Sequence, residues 1–188
     1  SWEANDMKRV PNILTLIRLF LIPLYLTVFY SDTAHPVRWA MIIFLVASLT
    51  DIIDGYIARK YDAITKFGQV ADPFADKVMQ LSVLYTLMDI GYIENWFFLI
   101  VLIKDGLQIF LGVALLNVEP KIIVPANVFG KATTVLIFAT ILLSLFRLPG
   151  LIYLQLFVGG LAVFTFSQYA YHVWQAWEKN KSAKTDNQ

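Results

Sequence analysis

Residues 38–59 read Arg38-Trp-Ala-Met-Ile-Ile-Phe-Leu-Val-Ala-Ser-Leu-Thr-Asp51-Ile-Ile-Asp54-Gly55-Tyr-Ile-Ala58-Arg59. No ionisable side chain interrupts the run between Arg38 and Asp51, and two aspartates then arrive within one helical turn. A membrane span needs about 20 mostly apolar residues, and carboxylates inside one are costly and kept for function. The stretch therefore reads as a membrane helix that ends in a polar site.

Working outward, the same character extends along the chain. Of its 188 residues 58% are hydrophobic and 15% charged, with a mean hydropathy of +0.62. A soluble domain carries about a quarter charged residues, so the apolar excess belongs to membrane spans. Six are expected, at roughly 11–30, 38–59, 70–91, 95–116, 127–147 and 151–174. The fold class is thus an all-α integral membrane protein with six transmembrane helices. Turn and charge signals separate the spans, and the short Pro149-Gly150 connection makes the last two an antiparallel pair.

Cytoplasmic connections collect Lys and Arg. Lys8, Arg9, Arg59, Lys60, Lys66, Lys121, Lys179, Lys181 and Lys184 fall on one side, against Arg38 and Arg147 on the other. Both termini and the 59–69 loop are therefore expected in the cytoplasm, with the protein in the cell's inner (cytoplasmic) membrane. Ser1 to Asp6 read as an extraneous leader before a natural start at Met7. Residues 7–177 form the expected six-span catalytic domain, and 178–188 a polar cytoplasmic tail. With no cysteine, disulfides and thiolate sites are excluded. A net charge of +1 says nothing by itself about a nucleic-acid partner, but no basic stripe interleaved with aromatics is present, and no such partner is expected.

Asp51, Asp54, Gly55 and Ala58 stand at i, i+3, i+4 and i+7, one face of a helix. Asp72 and Asp76, a turn apart, open the next span. A short loop makes these two helices neighbours, so four carboxylates converge at one membrane edge. Four such groups repel one another, and a divalent cation relieves the repulsion. Ligands that are all oxygen select hard ions, one or a pair, Mg²⁺ or Mn²⁺ first, with Ca²⁺ or Zn²⁺ able to stand in within a crystal. Small Gly55 and Ala58 leave open volume beside the acids, and the Arg59 fork suits a phosphate. Carboxylates, cation, open wall and arginine describe phosphoryl transfer. Two other uses of the acids are helix capping, aided by the dipole for Asp72, and an ion or proton pathway in a small ion-coupled transporter. Clustering at one end of two spans, with no ladder through the bilayer, argues against a pathway.

The pattern D-x-x-D-G-x-x-A-R, eight residues, then G-x-x-x-D-x-x-x-D covers 26 residues of this chain. It resembles the signature of the CDP-alcohol phosphotransferase family, matched at Asp51, Asp54, Gly55, Ala58, Arg59, Gly68, Asp72 and Asp76. The resemblance implies a membrane-embedded homodimer with a di-metal site, working on CDP-diacylglycerol among membrane lipids. Asp51, Asp54, Asp72 and Asp76 would hold the cations, with Asp76 also the general base. Asp54, Gly55, Ala58, Arg59 and Gly68 would line the CDP site, and Lys60 would meet phosphate.

The opening Pro11-Asn12-Ile-Leu-Thr15-Leu-Ile-Arg18 resembles the P-N-x-x-T-x-x-R start of the phosphatidylglycerophosphate and cardiolipin synthase branches. That implies acceptor-side roles for Asn12, Thr15 and Arg18, and an arginine within a span faces protein or water. Lys104-Asp105 replaces the Arg-Glu expected of the first branch, and Gly130-Lys131-Ala-Thr-Thr replaces its G-K-x-K-T. Cardiolipin synthases more often carry Arg-Asp at the first place. Glycerol 3-phosphate is the leading acceptor, held by Arg59, Lys104, Asp105 and Lys131, and phosphatidylglycerol the alternative. Lys104-Asp105 also reads as an intramembrane ion pair. His35 and His172 read as structural, and Trp39, Trp96, Trp174 and Trp177 as interfacial belts. Pro73 reads as first-turn, Pro23 as a kink. There is no Ser-His-Asp arrangement and no phosphate-binding glycine loop.

Overall fold

On the first helix, Thr15, Arg18, Ile22, Tyr25 and Phe29 recur at intervals of three and four, and all five are buried. Between them Phe20 and Leu24 are exposed, Phe20 at 76%. A 3-4 repeat lines one face of an α-helix, and that face packs against a neighbour. The same logic runs through the computed structural model, which describes residues 10–60, 66–116 and 128–185. Among the described residues there are six helices and no strand: α1 Val10–Phe29, α2 Pro36–Lys60, α3 Lys66–Asp89, α4 Asn95–Leu116, α5 Val128–Ser144 and α6 Leu151–Thr185. They match the six apolar blocks of the sequence. α3 begins before the expected 70, so Pro73 lies inside the helix and not in its first turn. α6 continues as far as Thr185, into the segment expected to be tail.

The chain divides into two compact units, Ser1–Thr86 and Leu87–Gln188. In the first, Ser31 ends α1: its N–H and its hydroxyl both donate to the Val28 carbonyl, at 3.2 and 2.7 Å. The chain then folds back, and α2 lays Ala40, Phe44 and Ala47 in the seam with α1. Alanines at a seam let helix backbones approach closely. α3 joins through Tyr25, whose hydroxyl hydrogen-bonds the Thr86 hydroxyl at 2.6 Å.

In the second unit, Gly91 takes φ +73° just past α3 and ends that helix, with Tyr92 N–H donating to Leu87 O at 2.8 Å. The Gln155 side chain of α6 accepts from Glu94 N–H at 3.0 Å, holding the start of α4. Phe129 of α5 meets Phe164 of α6 edge to face, centroids 5.8 Å apart. α5 and α6 are joined by a tight turn in which Arg147 and Gly150 both have positive φ. The Arg147 guanidinium lies 4.3 Å over the Tyr92 ring.

α4 and α6 touch at Gly159, where an added Cβ would come within 3.0 Å of Trp96 Cζ3. At the adjacent Gly160 nothing lies within 4 Å of such a Cβ. Gly159→Leu is expected to lower the thermal midpoint of the detergent-solubilised protein, by about 1–3 kcal/mol of overpacking. Gly160→Ala should be neutral or raise it, by up to about 1 kcal/mol from helix propensity. Differential scanning fluorimetry of both variants checks the pair, and equal effects would remove the packing explanation.

The distribution of polarity is inverted relative to a soluble protein. Buried positions include Arg18, Gln80, Lys104, Asp105, Thr133, Thr140 and Gln155, while Phe110, Val135 and Phe157 are each more than 60% exposed. Such an arrangement suits lipid outside and polar groups within. The buried hydroxyls are satisfied locally: Thr133 donates to Phe129 O and Thr140 to Leu136 O, at 2.7 and 2.8 Å. Two segments, Pro36–Ile57 and Leu151–Glu178, are long and apolar enough to cross a membrane, and Ile13–Phe29 and Val128–Ser144 are shorter apolar helices.

Candidate active site

The four motif acids occupy two consecutive helices. Asp51 and Asp54 lie a turn apart near the end of α2, Asp72 and Asp76 a turn apart in the first half of α3. Gly55, Ala58, Arg59 and Lys60 complete α2, and Gly68 lies in the opening turn of α3. Asp51 and Asp76 are both half-buried, and so is Gly55. The side chains of Asn12, Asp54, Ala58, Arg59 and Asp72, and the surroundings of Gly68, lie outside what the structure describes. Among the described residues no three His, Cys, Asp or Glu side chains gather, and of the four acids only Asp51 and Asp76 are in that set.

Asp51 extends the α2 seam stripe of Ala40, Phe44 and Ala47 by one more step of four. Arg18 belongs to the facing stripe of α1, and the two meet: Arg18 Nη1 lies 2.9 Å from Asp51 Oδ1. The arginine side chain is 1% exposed and the aspartate 41%. Thr15, one turn before Arg18, is wholly buried. The face drawn through Thr15 and Arg18 thus faces protein and ends on the first acid of the motif. Lys60 is exposed, its ammonium 5.6 Å over the ring of Tyr56 one turn earlier.

On α3, Gln80 follows Asp76 by one turn, is 6% exposed, and its Nε2 has no hydrogen-bond partner among the described residues. Sequence reasoning passed over it, although it continues the 72–76 stripe at i+8.

The remaining expected acceptor residues belong to the second unit. Lys104 and Asp105 are buried in α4 and paired at 2.6 Å, Nζ to Oδ1. Lys131 is exposed in the first turn of α5.

The sequence of this chain has relatives among known proteins. The family model described as CDP-alcohol phosphatidyltransferase matches residues 8–169. A Rickettsia typhi protein named CDP-diacylglycerol–glycerol-3-phosphate 3-phosphatidyltransferase is 35% identical over 156 residues, 80% of this chain and 84% of its own length. A Bacillus subtilis protein of the same name is 31% identical over 140 residues, 68% of this chain and 72% of its own. A probable phosphatidylglycerophosphate synthase of Mycobacterium tuberculosis is 37% identical over 145 residues, 73% of this chain and 65% of its own.

Proposed function

Because this chain belongs to the CDP-alcohol phosphatidyltransferase family, whose members are membrane-bound enzymes that use divalent cations, we propose that it makes phosphatidylglycerophosphate. In that reaction the phosphatidyl group of CDP-diacylglycerol passes to glycerol 3-phosphate and CMP leaves. The observation that carries the choice of acceptor is the activity named for relatives 31–35% identical over most of their length.

The donor set supports a hard cation. Asp51 and Asp76 offer carboxylate oxygens, both are partly accessible, and each has a second motif acid one turn away on its own helix. Asp51, Asp54, Asp72 and Asp76 would hold the divalent cation, as a pair of Mg²⁺ or Mn²⁺ ions. When bound, it supplies positive charge against the pyrophosphate. The small residues Gly55, Ala58 and Gly68 admit the CDP moiety, and Arg59 meets its phosphates through its fork. Asp76 takes the proton from the acceptor hydroxyl. That oxygen bonds to the phosphorus bearing diacylglycerol, the bond from this phosphorus to the CMP oxygen breaks, and CMP departs with the electron pair. Asn12, Thr15, Lys60, Lys104, Asp105 and Lys131 serve the acceptor side. The six helices all cross the inner membrane, within one catalytic domain of residues 7–177. Both termini and the site face the cytoplasm, and two copies pair. The inverted polarity and the lysine and arginine bias support that arrangement.

Purified protein given CDP-diacylglycerol, Mn²⁺ and glycerol 3-phosphate is expected to release CMP and form phosphatidylglycerophosphate, and EDTA should abolish both. Phosphatidylglycerol offered in parallel should give no product; cardiolipin formed from it alone would replace the acceptor. Absence of CMP release with every acceptor, together with ion flux in liposomes, would instead indicate a transporter.

A further inference from the structure

Among the described residues Arg18 is the largest fully buried side chain, and lipid or a helix seam is a costly place for a guanidinium. Its Nη1 meets Asp51 Oδ1 at 2.9 Å, across 33 residues of chain and from a different helix. Burial of the pair is lopsided: the arginine is 1% exposed, the aspartate 41%. The guanidinium therefore anchors the carboxylate from the protein side, while the carboxylate keeps accessible surface. The contact that the structure gives this guanidinium is with the Asp51 carboxylate. Resting on the reading of Asp51 as a cation ligand, we infer that Arg18 is a positioning residue that orients Asp51 toward the bound cation.

The chemistry allows both contacts. A carboxylate has two oxygens and about four lone-pair sites, so an ion pair with Arg18 at Oδ1 does not exhaust it as a ligand. Arginine differs from lysine here in that its planar, buried guanidinium is a rigid counter-charge, where an ammonium on a flexible stem is not. The registers of α1 and α2 explain why these two residues meet. Arg18 continues the Ile22, Tyr25, Phe29 stripe and Asp51 the Ala40, Phe44, Ala47 stripe, so packing the apolar parts of the seam brings the charged ends together.

The sign of one measurement separates position from charge. A fixed positive charge beside a cation site opposes the cation, so if Arg18 acted by charge alone its removal would tighten cation binding. If it orients a ligand, removal weakens binding, and loss of such a supporting partner typically costs about 10–100-fold in metal affinity. The test is isothermal titration of Mn²⁺ into the full-length detergent-solubilised protein without lipid substrate, for wild type, Arg18→Gln and Arg18→Lys. The expected result is about ten-fold weaker Mn²⁺ binding in Arg18→Gln and a smaller loss in Arg18→Lys, with the KM for glycerol 3-phosphate unchanged in both. Wild-type or tighter Mn²⁺ binding in Arg18→Gln overturns the inference, whatever happens to KM. Should Arg18→Gln fail to fold, Arg18→Lys, which keeps the counter-charge, decides by the same readout: wild-type Mn²⁺ affinity overturns the inference. Wild type that binds Mn²⁺ yet releases no CMP would count against the proposed reaction and leave the Arg18 comparison standing.

Discussion

Asp76→Asn is expected to lower the rate of CMP release by about 10²–10⁴-fold, the range of a general base, while Mn²⁺ binding falls by a much smaller factor. The reasoning begins with the isostere. Asparagine keeps an oxygen donor at the same place, and three motif carboxylates remain for the cation. What asparagine cannot do is accept and hold a proton, and the acceptor hydroxyl must lose one as it attacks. Asp76 is the last acid of the motif, eleven residues into α3, and is partly accessible. Turnover and Mn²⁺ binding measured on the same preparation check the point. Parallel loss of both would make Asp76 a ligand and nothing more.

Lys104→Met should be the most damaging single change in the second unit, by about 3–5 kcal/mol. It removes the ammonium 2.6 Å from a carboxylate with no exposed surface. Removing both charges, as Lys104→Met with Asp105→Leu, should recover most of that stability, since a buried ion pair contributes little over apolar side chains of similar volume. Thermal unfolding in detergent reads the first quantity. Kinetics of the double variant read the second: if the pair also serves the acceptor, the KM for glycerol 3-phosphate rises in a protein of restored stability. Unchanged KM would leave Lys104 and Asp105 as a structural pair and shift acceptor binding to Lys131 and Lys60. A single variant as stable as wild type would show that the pair contributes nothing.

Much of this molecule can be read along the chain, because membrane helices carry their signal locally. Apolar runs of span length bounded by turn residues announced the six helices, whose bounds differ from expectation by a few residues at most ends. Both notable departures are local too. α3 starts early enough to enclose Pro73, and α6 runs on to Thr185, since helix propensity continues past the last apolar residue. The aspartate motif was equally legible, for its chemistry depends on spacing within two adjacent helices.

Partnership between helices was not legible. Nothing in the spacing of Asn12, Thr15 and Arg18 tells whether that face meets phosphate, lipid or protein. The α1–α2 seam answered this by setting Arg18 against Asp51. Gln80 was overlooked for a related reason: only packing reveals that its amide is buried with Nε2 unpaired among the described residues. The close approach of α6 to α4 at Gly159 is of the same kind, since neighbouring Gly160 looks identical in sequence and meets nothing. Sequence alone determined the helices, the membrane character and the spacing of the motif acids, because each arises from residues within a turn or two of one another. The tertiary structure decided which buried charge answers which, because that depends on the register in which two distant helix faces pack.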